Sequence, residues 1–103
     1  MIKVGVFYPN NAGGKFDMKY YLEKHIPMVK QKCGPALKSV AVEQGLAGGQ
    51  PGAPMTYRVI AHLLFDSIDA FQGSFGPNAP AILGDVPNYT DIEPVVQISE
   101  VKL

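Results

Sequence analysis

The 103-residue chain carries 9 Lys and Arg against 9 Asp and Glu, a formal net charge of zero that excludes the basic footprint of a nucleic-acid or anionic-membrane binder. Hydrophobic residues make up 47% and charged ones only 17%, so this is a folded domain with an under-charged surface, part of which a second copy is expected to cover. One domain over residues 1–103 fits the length, and the single Cys33 excludes an internal disulfide or a Cys-rich metal site, as suits a cytoplasmic protein.

Residues 2–8 alternate as a buried strand and show no apolar run of signal-peptide length, and no segment reaches the ~18 apolar residues of a membrane span. Pro9-Asn10-Asn11 and Gly13-Gly14 end the strand. Asp17 is a helix N-cap, with Phe16 before it and Tyr21 after it placed as a hydrophobic staple. On the wheel Met18, Leu22, Ile26, Val29 and Cys33 fall within an arc of about 80°, the expected core stripe. Pro27 lies opposite, which predicts one kinked helix ended by Gly34-Pro35.

A second strand is expected over 37–44, with Val40 and Val42 on one face, then a glycine-rich connection over 45–54 and a third strand over 55–65. The third strand divides into Tyr57, Val59, Ala61, Leu63 and Phe65 on one face and Arg58, Ile60, His62 and Leu64 on the other. Asp66 or Ser67 caps a second helix carrying Ile68, Phe71 and Phe75, which ends at Gly76-Pro77 before a short helical turn over 80–83. After a loop over 85–89, residues 95–101 form the last strand. The order is that of an α+β, ferredoxin-like βαββαβ antiparallel sheet with two helices on one face. The other face of the third strand has no cover within one chain, so face-to-face homodimerisation is expected, unless Arg58 and His62 keep that face wet enough for a monomer.

The helical spacing stacks Tyr21 and His25 along one edge of the core stripe. A neutral imidazole there can act as general base, and a phenol one turn away can donate to an oxyanion or orient the ring; the same position also suits a core histidine with a satisfied hydrogen bond. His62, beside Arg58 on a strand, is a second candidate or a structural group in a packed sheet. Asp85 and Tyr89 fall in a loop that can line a cleft, or form an ordinary turn. Two His without paired spacing make no metal motif, and the glycine-rich stretch matches neither the phosphate loop nor the dinucleotide fingerprint. No metal and no cofactor is expected, and Cys33 reads as an inert core thiol.

The stretch Phe16-Asp17-x-x-Tyr20-Tyr21-x-x-x-His25-x-Pro27, with Phe65-Asp66-Ser67, Ala70-Phe71, Asp85 to Thr90 and the ending Glu93 to Val101, resembles the EthD family over essentially the whole chain. The family is named for an association with ethyl tert-butyl ether degradation, and its short branch carries a reductase label. The resemblance implies a dimeric α+β barrel whose protomers each hold a small apolar or aromatic compound between helices and sheet. It also implies relatives of diverse activity, among them cofactor-free monooxygenases, isomerases, cyclases and haem-handling enzymes. The expected site has His25, Tyr21 and Asp85 as catalytic groups and His62, Tyr89 and Tyr20 against the substrate. The expected function is cofactor-free acid/base, isomerase/cyclase- or monooxygenase-like chemistry, of an oxidoreductase or isomerase type, on a small apolar or aromatic oxygenated compound. The alternative is a non-catalytic binding protein for an apolar metabolite or haem.

Overall fold

The structure is a computed structural model that describes residues 1–11 and 13–103. Strand β1 (Ile2–Pro9) alternates as expected: Ile2, Val4 and Tyr8 are buried, and Lys3 between them is exposed. It lies at the centre of a four-stranded sheet of order β2-β3-β1-β4, formed with β2 (Leu37–Gln44), β3 (Tyr57–Phe65) and β4 (Val95–Glu100). Every neighbouring pair is antiparallel. This is the ferredoxin-like βαββαβ topology.

The first helical rod covers residues 18–33 in three parts: α1 (Met18–Tyr20), a π-helical turn (Tyr21–His25) and α2 (Ile26–Cys33). Asp17 caps it, accepting the Tyr20 N–H at 3.0 Å, and the Phe16 and Tyr21 rings meet at 5.0 Å as the staple requires. Pro27 stands on the exposed side, and the irregularity falls in the turn just before it, where the Ile26 N–H reaches back five residues to the Tyr21 carbonyl. One extra residue in that turn rotates everything before it by about 100° relative to a regular helix. The core stripe is corrected accordingly: Leu22 is 48% exposed, and Tyr21 and His25 take its place beside Ile26, Val29 and Cys33. Gly34, at φ +62°, ends the rod in a conformation that L side chains rarely adopt.

The face assignment of β3 holds from Val59 onward, and a bulge changes it at the start. Pro9 pairs with Tyr57 and Tyr8 with Val59, so Arg58 is the extra residue. As a result the Tyr57 ring lies 5.2 Å from Phe7 on the outer face, while the Arg58 guanidinium donates to the Gly14 carbonyl.

Ser67 rather than Asp66 caps α3 (Ile68–Phe75), accepting the Ala70 N–H at 3.1 Å. Helix α4 (Ala79–Gly84) follows after a tight turn. The helices pack on the inner sheet face over two adjoining buried groups, one around Val4, Val29, Leu63 and Phe65 and one around Tyr8, Tyr21, Ala61 and Tyr89. They do not reach over β4, whose inner-face Val96 is 55% exposed although it pairs with Val6. Among the described residues, no helix is long and apolar enough to cross a membrane.

Candidate functional site

The site forms where the two loops at one end of the sheet are tied together. The Asp17 N–H donates to the Tyr89 carbonyl at 2.7 Å, Phe16 and Thr90 form an antiparallel bridge, and the buried Thr90 hydroxyl donates to the Lys15 carbonyl. These bonds fix Tyr89 against the start of the helical rod. At the other end of the same loop, Asp85 follows α4 directly, and the 3-10 turn Val86–Asn88 folds the Asn88 amide back to donate to Asp85 Oδ1 at 2.9 Å.

His25 is 5% exposed, and its Nδ1 lies 2.9 Å from Asp85 Oδ2. The Tyr20 hydroxyl donates to Asp85 Oδ1 at 2.7 Å, so the carboxylate is held by three side chains. On its other edge, His25 Nε2 stands 3.5 Å from the Tyr89 hydroxyl, which is 2.7 Å from the Tyr8 hydroxyl. The Tyr21 ring stacks on the imidazole at 5.5 Å between centroids. The sequence thus brings an ordered run of Asp85, His25, Tyr89 and Tyr8 to one place. Its 3.5 Å step is longer than an ordinary hydrogen bond.

Burial pushes the His25 imidazole below the ordinary histidine value, against the upward pull of the Asp85 carboxylate. Burial alone would raise Asp85, but the bonds from Asn88, Tyr20 and His25 together outweigh it and hold the carboxyl below its usual range. Burial raises Tyr8, Tyr21 and Tyr89, which stay protonated at neutral pH. The arrangement at pH 7 is an ionised carboxylate, a neutral imidazole and neutral phenols.

These directions imply an acid-labile fold. Because the folded His25 resists protonation, the unfolded chain binds more protons once pH falls through about 6.5, the ordinary histidine value, and stability drops from there downward. Asp85 adds to the loss as pH falls through about 3.9. The urea midpoint is expected to fall between pH 7.5 and pH 5, and the fall should be smaller in a His25→Gln variant. An equal fall in both proteins would contradict the assignment.

His25, Tyr8, Tyr21 and Tyr89 form the polar end of a cavity of about 270 Å³ between the helices and the inner sheet face. Val4, Val6, Ala61 and Leu63 floor it from the sheet, and Phe71, Phe75 and Ile82 roof it. No Lys, Arg, Asp or Glu lines it among the described residues. It opens beside exposed Leu83 and Val96, where the helices stop short of β4.

Of the expected site residues, the structure brings together His25, Tyr21, Asp85, Tyr89 and Tyr20. It does not bring His62 there: that side chain pairs with Ala41 and Gly5 on the outer sheet face, with Nε2 2.9 Å from Glu43 Oε1. Strand alternation puts it one residue out of phase with the cavity-lining Ala61 and Leu63. Tyr20 also stays off the cavity, standing beyond Asp85 in a groove with Lys24, Met28 and Lys32. It touches the carboxylate and not the cavity space. Tyr8 and Asn88 are the members that sequence reasoning missed. For Tyr8 a signal existed, since it is the one polar side chain in the inward series Ile2, Val4, Val6, Tyr8.

Fold and site together define a ferredoxin-like α+β protein with an apolar cavity closed at one end by a buried histidine held by a carboxylate. A family profile described as the EthD domain matches residues 15–93. The crystal structure of an EthD-like protein from Ralstonia eutropha JMP134 shares 45% identity, covering 99% of this chain and 92% of that one, with a TM-score of 0.94. The chain belongs to the EthD family. An EthD family protein from Bacillus halodurans C-125, 15% identical, superposes with a TM-score of 0.67 over 99% of both chains. A dimeric ferredoxin-like protein from Thermobifida fusca YX, 19% identical, does so with a TM-score of 0.59 over 97% of this chain and 90% of that one. These two likenesses concern the fold alone. No curated protein matches the chain.

Proposed function

We propose that the protein binds a small, uncharged, largely apolar ring compound in the cavity and acts on it by proton transfer, with His25 as the base. The observation that carries this reading is a buried imidazole, held 2.9 Å from a carboxylate, at the polar end of an apolar cavity of about 270 Å³. That volume lies just below the roughly 300–1,000 Å³ of drug-sized sites, which favours a small ligand. Asp85 keeps the proton on Nδ1 and leaves the Nε2 lone pair facing Tyr89 and the cavity. The imidazolium formed when Nε2 takes a proton is stabilised by the same carboxylate, and the neutral phenols can donate to an oxygen on which charge develops. Such a site suits isomerisation, cyclisation or cofactor-free oxygen chemistry. We also propose that the outer sheet face, with half-buried Phe7, Tyr57, Ile60 and Leu64, packs on a second copy. A dimeric relative of the same fold supports that.

Native mass spectrometry of the gently purified protein tests both parts. A dimer carrying a uniform small added mass is expected, and turnover of that compound should fall about 10²–10⁴-fold in His25→Gln. Unchanged turnover removes His25 as base. Ligand retained by the wild type without any turnover, and lost in His25→Gln, makes this a binding protein instead.

A further inference from the structure

The floor of the cavity is one strand wider than its roof. Antiparallel pairing sets two rows of inward side chains across the central strands and on to the edge strand, Ala61 beside Val6 beside Val96, and Leu63 beside Val4 beside Ile98. The first two members of each row line the cavity beneath the helices. The third members are 55% and 39% exposed, because the helices stop short of β4. Val96 stands at the cavity mouth with Leu83 of α4, and Ile98, the next inward residue, lines an open groove with Ile68 of α3. Leu83 and Ile68 are themselves about half exposed. Four aliphatic side chains thus border one strip that runs from the mouth along β4, and it ends at Glu100, the inward residue after Ile98, whose carboxylate lies 2.8 Å from Lys102 Nζ. The sheet face proposed above to meet a second copy is the opposite one, so a dimer formed there leaves this strip open.

We infer that the ligand is a ring compound carrying an uncharged alkyl chain, with the ring in the cavity and the chain leaving through the mouth to lie over Val96 and Ile98. This rests on the small-molecule reading of the site and narrows it to one ligand class. The strip continues the cavity floor, so whatever a bound ring carries through the mouth must cross it. An aliphatic chain removes water from the exposed faces of Val96, Ile98, Leu83 and Ile68 as well as from itself, whereas a charged substituent laid there would find no partner before Glu100. The two inward residues of β4 are about 7 Å apart, which sets the chain at about six carbons from the ring to the end of the strip. The 270 Å³ cavity then limits the ring and not the whole ligand.

The test is calorimetric titration of the full chain at pH 7.5 with 4-methylphenol and 4-hexylphenol, whose shared hydroxyl can both donate and accept at the polar end, in wild type and in Ile98→Thr. A fully buried CH₂ is worth about fourfold in affinity and a half-covered one about twofold, so the five added carbons should make the hexyl compound bind wild type about thirtyfold more tightly. Ile98→Thr lies outside the cavity lining and keeps a β-branched residue on the strand. It should weaken 4-hexylphenol about fivefold and leave 4-methylphenol within about twofold. Equal affinities of the two compounds in wild type, or a chain preference untouched by Ile98→Thr, overturn the inference and leave the cavity standing as a ligand site. Failure of both compounds to bind wild type removes the cavity as a ligand site and this inference with it. Sedimentation velocity is expected to show the same oligomeric state for both proteins; a dimer weakened by Ile98→Thr with the chain preference intact would assign the strip to a second copy instead.

Discussion

An Asp85→Asn protein should fold and bind ligand yet lose on the order of 10²–10⁴ in kcat/KM, because the change reverses which imidazole nitrogen carries the proton. The wild-type carboxylate accepts from His25 Nδ1 at 2.9 Å and from the Tyr20 hydroxyl at 2.7 Å, and it has no proton of its own. An asparagine can keep the Tyr20 and Asn88 bonds on its carbonyl oxygen. Its amide then points at Nδ1 as a donor, so the imidazole proton moves to Nε2 and the lone pair that faced Tyr89 is gone. The variant also lacks the negative charge that stabilises an imidazolium. Nitrogen chemical shifts of His25 read the tautomer without any substrate, and the δ- and ε-nitrogen signatures should exchange between wild type and variant. A variant with the wild-type tautomer, or with activity within about threefold, would show that Asp85 is a structural partner only.

Phe65→Ala is expected to have the largest effect on stability, about 3–5 kcal/mol, the usual result of emptying a large buried aromatic site. Phe65 is fully buried, pairs with Ile2 and Leu37 across the sheet, and meets the Phe71 ring edge-on at 5.2 Å. It joins the two central strands to α3, so the walls cannot collapse into the space without moving the helix. A domain of this size has roughly 5–15 kcal/mol in total, and the variant should therefore be partly unfolded near 37 °C. Urea denaturation followed by circular dichroism measures the change, and Phe65→Leu, which leaves most of the volume filled, should lose distinctly less. A loss below about 1.5 kcal/mol for the alanine variant would mean that the site relaxes far more than its packing suggests.

Much of this architecture is legible in the sequence because it obeys simple periods. The alternation in residues 37–44, the cap at Asp17 and the cap at Asp66 or Ser67 place β2 and the helix starts where the structure has them. His25 and Tyr21 are legible because helical spacing stacks them, and Asp85 and Tyr89 because they sit in a loop long enough to line something. The departures arise where one residue is added to a regular element. The bulge at Arg58 sends Tyr57 to the outer face, and the π turn puts Tyr21 where a regular helix would put Leu22. Tyr8 escapes notice for a different reason: a strand pattern counts it as core, and its partner Tyr89 is 81 residues away.

The π turn also decides which side chain lies beside His25 in the cavity wall. Were the same sequence wound as a regular α-helix, with the Ile26 N–H bonded to the Leu22 carbonyl, Leu22 would take the buried place that Tyr21 holds. The stacking of Tyr21 on His25 depends on that one wide turn. A change of register in that one turn would therefore exchange a phenol for an aliphatic side chain in the cavity wall without any substitution at the residues that line it.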